Sequence, residues 1–143
     1  MIYINIIKYY IYIVYSMAIR MRPPIITEIK NMLQYFSVLS QNPGIFIIKF
    51  GAVWCGPCKQ VEPLIYEGIS RMPDNVQCAV IDIDLCLEVY ATLKKKRIIS
   101  GVPVILAYYK GNMDCMPDDM VVGADRKKII EFFNRCTIEA TSS

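Results

Sequence analysis

From Gly44 to Phe50 the chain is apolar at almost every position, Gly44-Ile45-Phe46-Ile47-Ile48-Lys49-Phe50, and it is entered through Pro43-Gly44. That pattern predicts a buried strand. Immediately downstream Val61, Leu64, Ile65 and Ile69 recur at helical spacing, which predicts a helix to about Met72, kinked at Pro63. Pro73-Asp74-Asn75 reads as a turn, and Val76 to Ile83 as a second apolar strand. Strand, helix and strand in that order form a βαβ unit with parallel strands and a right-handed crossover. Asp84 is placed to cap a further helix whose apolar face is Cys86, Val89, Tyr90 and Leu93. Upstream, Ile25, Ile29, Met32 and Phe36 predict a helix over 25–39, with Thr27 as its cap and Gln41-Asn42-Pro43-Gly44 as its end. Pro103 to Tyr109 reads as the next strand, and Met120 to Val122 as its hairpin mate across the loop Gly111 to Asp119. Asp125 then caps a last helix that buries Ile129, Phe132, Phe133 and Cys136, after which Thr137 to Ser143 turns polar and is expected to fray. The layout is α/β, with helices on both faces of a mixed sheet.

The first nineteen residues break this regularity. They are rich in Ile and Tyr, interrupted by Lys8, and show no clear period. Much of the excess hydrophobicity of the chain sits there, in a sequence that is 55% hydrophobic with a mean hydropathy of +0.34. A membrane span needs about twenty predominantly apolar residues, and a secretory signal wants cations ahead of its apolar run. Lys8 spoils both patterns, although Ser16-Met17-Ala18 faintly resembles a cleavage site. An anchor or signal, an added strand, or an early start with Met17 or Met21 as the true initiator all stay open. Arg20 and Arg22 ahead of Pro23-Pro24 mark a boundary. The expected division is an apolar extension over 1–22, one domain over 23–138 and a polar tail over 139–143.

A net charge of +3 is too mild to argue for nucleic acid. The run Lys94-Lys95-Lys96-Arg97 sits at a helix C-terminus, where cations are favourable and solvated. There is no histidine, so His-based acid–base chemistry and His-containing metal sites are excluded. Six cysteines lie at 55, 58, 78, 86, 115 and 136. Their irregular spacing argues against a disulfide framework, and Cys78 and Cys86 are too far apart to complete a zinc site with the first pair. One reactive pair among four ordinary thiols suits a reducing, cytoplasmic setting.

That pair lies in Trp54-Cys55-Gly56-Pro57-Cys58, on the predicted strand-to-helix turn. Pro57 falls in the first helical turn, where its missing N–H costs little. The helix N-terminus carries roughly half a positive charge and favours a thiolate at Cys55. The turn is expected to expose Cys55, with Cys58 one turn further in and within reach of a mixed disulfide formed there. The chemistry this spacing suits is dithiol–disulfide exchange.

The run Phe50-Gly51-Ala52-Val53-Trp54-Cys55-Gly56-Pro57-Cys58-Lys59, with Pro63 beyond it, resembles the active-site motif of the thioredoxin family. Gly101-Val102-Pro103-Val104 resembles that family's cis-proline loop, and Gly123 before the last helix is a third match. The resemblance covers about residues 25–138. It implies the thioredoxin fold, a three-layer α/β/α arrangement around a central mixed sheet. It also implies a thiol–disulfide oxidoreductase that reduces protein disulfides with Cys55 as nucleophile and Cys58 as resolving thiol. Gly56 and Pro57 would tune the disulfide. Pro103 would face the cysteines across a cis bond, and Trp54, Gly101, Val102 and Gly123 would form the apolar rim that receives substrate polypeptide. No bound cofactor is implied, electrons would come from a separate thioredoxin-reductase-like donor, and the protein would be a monomer. Two rival readings remain: a membrane-tethered or exported disulfide-handling enzyme, and a redox-silent interaction module. Such modules commonly lose a cysteine of the pair, and this chain keeps both.

Two positions depart from the resemblance. Lys49 stands where the family usually has a buried acid beneath the cysteines, and Val80 where it has a lysine on the next strand. Lys49 shares a strand face with Ile45 and Ile47, so partial burial and a disfavoured charge are expected. A tuning role for Lys49 follows, and the proton acceptor for Cys58 is left open.

Overall fold

The computed structural model describes residues 2–20 and 22–142, residues 16–20 by their backbone only. Its elements are α1 (Ile2–Arg20), α2 (Met32–Ser40), β1 (Ile45–Gly51), α3 (Gly56–Ser70) and β2 (Val76–Asp82). They continue with α4 (Leu87–Lys95), β3 (Val104–Tyr109), β4 (Asp119–Val122) and α5 (Arg126–Ser142). The sheet order is β2-β1-β3-β4. β1 pairs in parallel with β2, from Ile45 opposite Val76 to Gly51 opposite Asp82, and antiparallel with β3, which pairs antiparallel with β4.

All seven residues of β1 are buried because helices cover both faces of the sheet. Successive side chains point to opposite faces. Phe46, Ile48 and Phe50 pack with Tyr35 and Leu39 of α2 and with Val89 and Leu93 of α4. Ile45 and Ile47 pack with Val61, Ile65 and Ile69 of α3 and with Ile129, Phe132 and Cys136 of α5. The architecture is the three-layer α/β/α arrangement around a mixed sheet that the hydrophobic pattern predicts.

Four local expectations are corrected. The helix predicted from Ile25 begins only at Met32. Residues 25–30 are not helical, and Ile26 bridges the free edge of β2: its N–H donates to the Cys78 carbonyl at 3.0 Å, and Val80 N–H donates to the Ile26 carbonyl at 2.8 Å. Asn31, not Thr27, caps α2 by accepting from Gln34 N–H at 2.9 Å. Asp84 does not cap α4, whose N-cap is Cys86 with no side-chain hydrogen bond. The tail does not fray where expected: α5 runs to Ser142, Ala140 is buried in it, and Asn75 Nδ2 donates to the Ala140 carbonyl at 2.9 Å. Ser143 lies outside the described residues.

The N-terminal segment is helical, which removes the added-strand reading for it. Its described side chains, Ile2 to Tyr15, are all exposed. Among the described residues no helix is long and apolar enough to cross a membrane. Met21, one of the alternative starts, lies outside the described residues. Arg22 sits with the compact domain rather than with the extension. Its guanidinium donates to the Ile69 carbonyl in the last turn of α3, which also accepts from Met72 N–H at 3.2 Å, and to the Met72 carbonyl just beyond the helix at 3.4 Å.

The long loop before β4 is tied back to β3. Tyr108 OH donates to the Cys115 carbonyl at 2.6 Å and receives a bond of 2.6 Å from Tyr35 OH. Asp118 N–H donates to the Ala107 carbonyl at 2.9 Å.

Candidate active site

β1 ends at Gly51, and three residues of turn deliver Cys55 to the start of α3. Cys55 N–H donates to the Ala52 carbonyl at 3.1 Å, which closes that turn. Cys55 is the N-cap of α3, with extended backbone (φ −85°, ψ 107°), and Pro57 lies in the first turn. Cys58 N–H donates to Cys55 Sγ at 3.2 Å. The sulfur therefore takes the place of a capping oxygen, at the positive end of the helix dipole.

Cys55 and Cys58 are joined by a disulfide, with Cα atoms 5.3 Å apart. That separation is ordinary for a bridge and needs no backbone movement. Cys55 is only 5% exposed in this oxidised form, less than the turn position suggested. The loop before β3 comes close to it: Cys55 Sγ lies 3.8 Å from the Val102 carbonyl oxygen. The other cysteines, Cys78, Cys86, Cys115 and Cys136, are free and buried. Burial pushes the Cys78 and Cys136 thiols up to about 12 and raises Cys115. A thiol that resists ionisation is a poor nucleophile, which weighs against Cys78, Cys115 and Cys136 in that role. Among the described residues no three Cys, Asp or Glu side chains are grouped to hold a metal ion.

The remaining residues named from the sequence gather round the pair. The Val102–Pro103 peptide is cis. Pro103 is buried, and its carbonyl accepts from Gly123 N–H at 2.9 Å, which fastens the turn after β4 to the loop beside Cys55. Gly123 has φ +86°, a conformation other residues adopt only with strain. Gly101 and Val102 are half-buried, and Gly56 faces open space. Trp54 is 67% exposed, yet it is held: its indole N–H donates to Asp84 Oδ2 at 2.9 Å. Asp84 was not among the site residues read from the sequence. The one signal for it is that an indole N–H seeks an acceptor, and nothing local says which one.

Lys49 points to the α3 side of the sheet and is 7% exposed. Its cross-strand partners are Val80 on β2 and Ile105 on β3, so the two departures noted in the sequence are neighbours. A Cβ on Gly51 would lie 2.9 Å from Lys49 Nζ and 3.7 Å from Cys58 Sγ, so both atoms converge over that glycine. The side chain opens on a cavity of about 370 Å³ that is also lined by Cys58, Glu62, Val80 and Asp82. Burial lowers the ammonium pKa from its ordinary value, while the Glu62 and Asp82 carboxylates pull it back up. The arrangement is a disulfide at a helix N-terminus, an exposed indole and a cis-proline loop beside it, and a buried cation beneath.

Comparison with known proteins adds to this geometry. The Thioredoxin family model matches residues 26–135. Thioredoxin H8 of Arabidopsis thaliana is 32% identical over 121 residues, which cover 82% of this chain and 76% of that one. A bifunctional thioredoxin reductase/thioredoxin of Mycobacterium leprae is 28% identical over 100 residues, 70% of this chain and 20% of that protein. Among solved structures, a Plasmodium falciparum thioredoxin aligns with a TM-score of 0.59 at 27% identity, covering 76% of this chain and 84% of that one.

Proposed function

The chain belongs to the thioredoxin family and is a thiol–disulfide oxidoreductase, and on that premise we propose that Cys55 and Cys58 form a two-cysteine relay that reduces protein disulfides. The reduced Cys55 thiolate attacks one sulfur of a substrate disulfide. A Cys55–substrate bond forms, and the other substrate sulfur leaves as a thiolate and takes up a proton. Cys58 then loses its proton and attacks Cys55 Sγ. The Cys55–Cys58 bond forms, the bond to substrate breaks, and the second substrate sulfur leaves as a thiol. Two electrons pass from the dithiol to the substrate, and the protein is left in the oxidised form described above. The observation that carries this reading is the 3.2 Å bond from Cys58 N–H to Cys55 Sγ at the start of α3. A donor at that distance stabilises a thiolate more than a thiol.

Gly56 and Pro57 shape the ring that the relay closes. Trp54, Gly101, Val102, Pro103 and Gly123 serve as the surface on which an extended substrate segment lies. The electron donor is a separate reductase, a reading supported by the Mycobacterium leprae relative, whose name joins a thioredoxin reductase to a thioredoxin. The protein works without a bound cofactor and as a monomer, through the domain 23–138 extended at its start to Arg22 and at its end through Ala140 to the end of α5. A cytoplasmic location is supported by the four free buried thiols, which persist best in a reducing compartment.

The test is reduction of insulin disulfides by dithiothreitol, with the native chain against Cys55→Ser and Cys58→Ser. The native chain is expected to accelerate precipitation of the insulin chains and both variants to fail. Acceleration by either variant would contradict the relay.

A further inference from the structure

Lys49 is the one charged side chain of the buried β1 strand, and its end shares a small space with the sulfur of Cys58. A lysine in that position needs somewhere to put a long side chain. Gly51, two residues on and on the same face, leaves the space open: a Cβ there would stand 2.9 Å from Lys49 Nζ and 3.0 Å from Lys49 Cε. Any other residue at 51 displaces the ammonium. Directly opposite Lys49 the partner strands place only Val80 and Ile105, and the nearest charge on them is Asp82 of β2, opposite Gly51. The cavity is open to solvent at its mouth, where Lys59, Glu62 and Asp82 complete the charges that face Lys49.

We propose that Lys49, seated over Gly51, is the positioning cation that stabilises the resolving thiolate of Cys58. The proposal rests on the relay reading and specifies its second step. In the mixed disulfide, Cys55 is bonded to substrate and Cys58 is a thiol. Its proton leaves through the cavity mouth to solvent, and the negative charge that remains on Cys58 Sγ faces the Lys49 ammonium. The two groups lie on either side of one Cβ-sized space over Gly51, and an opposite charge that near in a buried setting favours the ionised sulfur. The thiolate then attacks Cys55 Sγ and releases substrate. Burial lowers the Lys49 ammonium pKa from its ordinary value, and the Glu62 and Asp82 carboxylates oppose that lowering. Cys55 does not line this cavity, so its own attack on substrate depends on the α3 N-terminus instead.

The test separates the two steps in single-turnover reactions of the reduced full chain with a disulfide-linked peptide, from pH 5 to 9. Attack alone is read in Cys58→Ser proteins, and attack plus resolution in proteins that keep both cysteines. Lys49→Met is expected to move the pH midpoint of resolution up by about one unit, a slowing of about tenfold at neutral pH, with attack changed less than threefold. Gly51→Ala removes no charge but displaces the ammonium. It is expected to shift the resolution profile in the same direction, and to add nothing on top of Lys49→Met. A Lys49→Met or Gly51→Ala protein that resolves with the native pH profile would overturn the role of Lys49 while leaving the relay intact. Failure of Cys58→Ser to hold peptide at all would overturn the relay and this step with it.

Discussion

Trp54 and Asp84 are joined across a sequence separation of 30 by a 2.9 Å hydrogen bond from the indole N–H to the carboxylate. The bond fixes an exposed aromatic ring, and under the proposed function, in which a substrate segment lies on that ring, it lowers the entropy lost on binding. Asp84→Ala is expected to raise KM for insulin several-fold and to leave reduction of a small aromatic disulfide unchanged. Steady-state kinetics with both substrates checks this. Equal losses on the two would show that Asp84 acts on the cysteines and not on the ring.

Cys78 and Cys136 impose an alkaline limit on stability. In the unfolded chain a thiol ionises near pH 8.5, whereas burial pushes both of these up to about 12 in the fold. Between those values the folded state holds more protons than the unfolded one, so stability falls as pH rises. Each thiol contributes a slope of about 1.4 kcal/mol per pH unit. Buried Tyr35 and Tyr108, also raised, steepen the fall above about pH 10. Urea unfolding at pH 8, 9 and 10 is expected to show a shallower decline for Cys78→Ala/Cys136→Ala, whatever its starting stability. Parallel declines would contradict the assignment.

Under the proposed domain boundary, Arg22 is the first residue tied to the compact domain. Its guanidinium donates to the Ile69 carbonyl, which also accepts from Met72 N–H at 3.2 Å, and to the Met72 carbonyl, and hydrogen bonds from a charged donor contribute about 1.5–3 kcal/mol. Arg22→Ala in the full chain is expected to cost that much. Removal of residues 1–20 is expected to cost less than about 0.5 kcal/mol, as surface changes usually do. The described side chains of α1 up to Tyr15 are all exposed. Thermal melts of the two proteins check the order, and a larger loss from the deletion would make α1 part of the fold.

The segment from β1 to β2 was legible because its hydrophobic period switches from continuous to helical and back, with Gly or Pro at each change. The cysteine pair was legible because its neighbours are distinctive. The start of α2 was not. Ile25 and Ile29 have helical spacing, but that spacing equally suits an extended run that bridges β2 through Ile26 and buries Ile29. Asp84 was read as a cap because capping is local, whereas its partner Trp54 lies on another loop that only the fold brings near. The burial of Lys49 followed from its strand face, but the space over Gly51 that receives its ammonium depends on where α3 crosses the sheet. The helical character of 137–142 was available in the four-residue step from Cys136 to Ala140, which the polar composition masked.

The central claim, a relay in which Cys55 attacks and Cys58 resolves, is tested most directly by trapping. Each single Cys→Ser variant is reduced, mixed with a disulfide-containing protein, quenched with acid and alkylating agent, and separated without reductant. Cys58→Ser is expected to hold substrate in a mixed disulfide that dithiothreitol releases, and Cys55→Ser to hold none. Equal trapping by the two variants, or by neither, would contradict the relay.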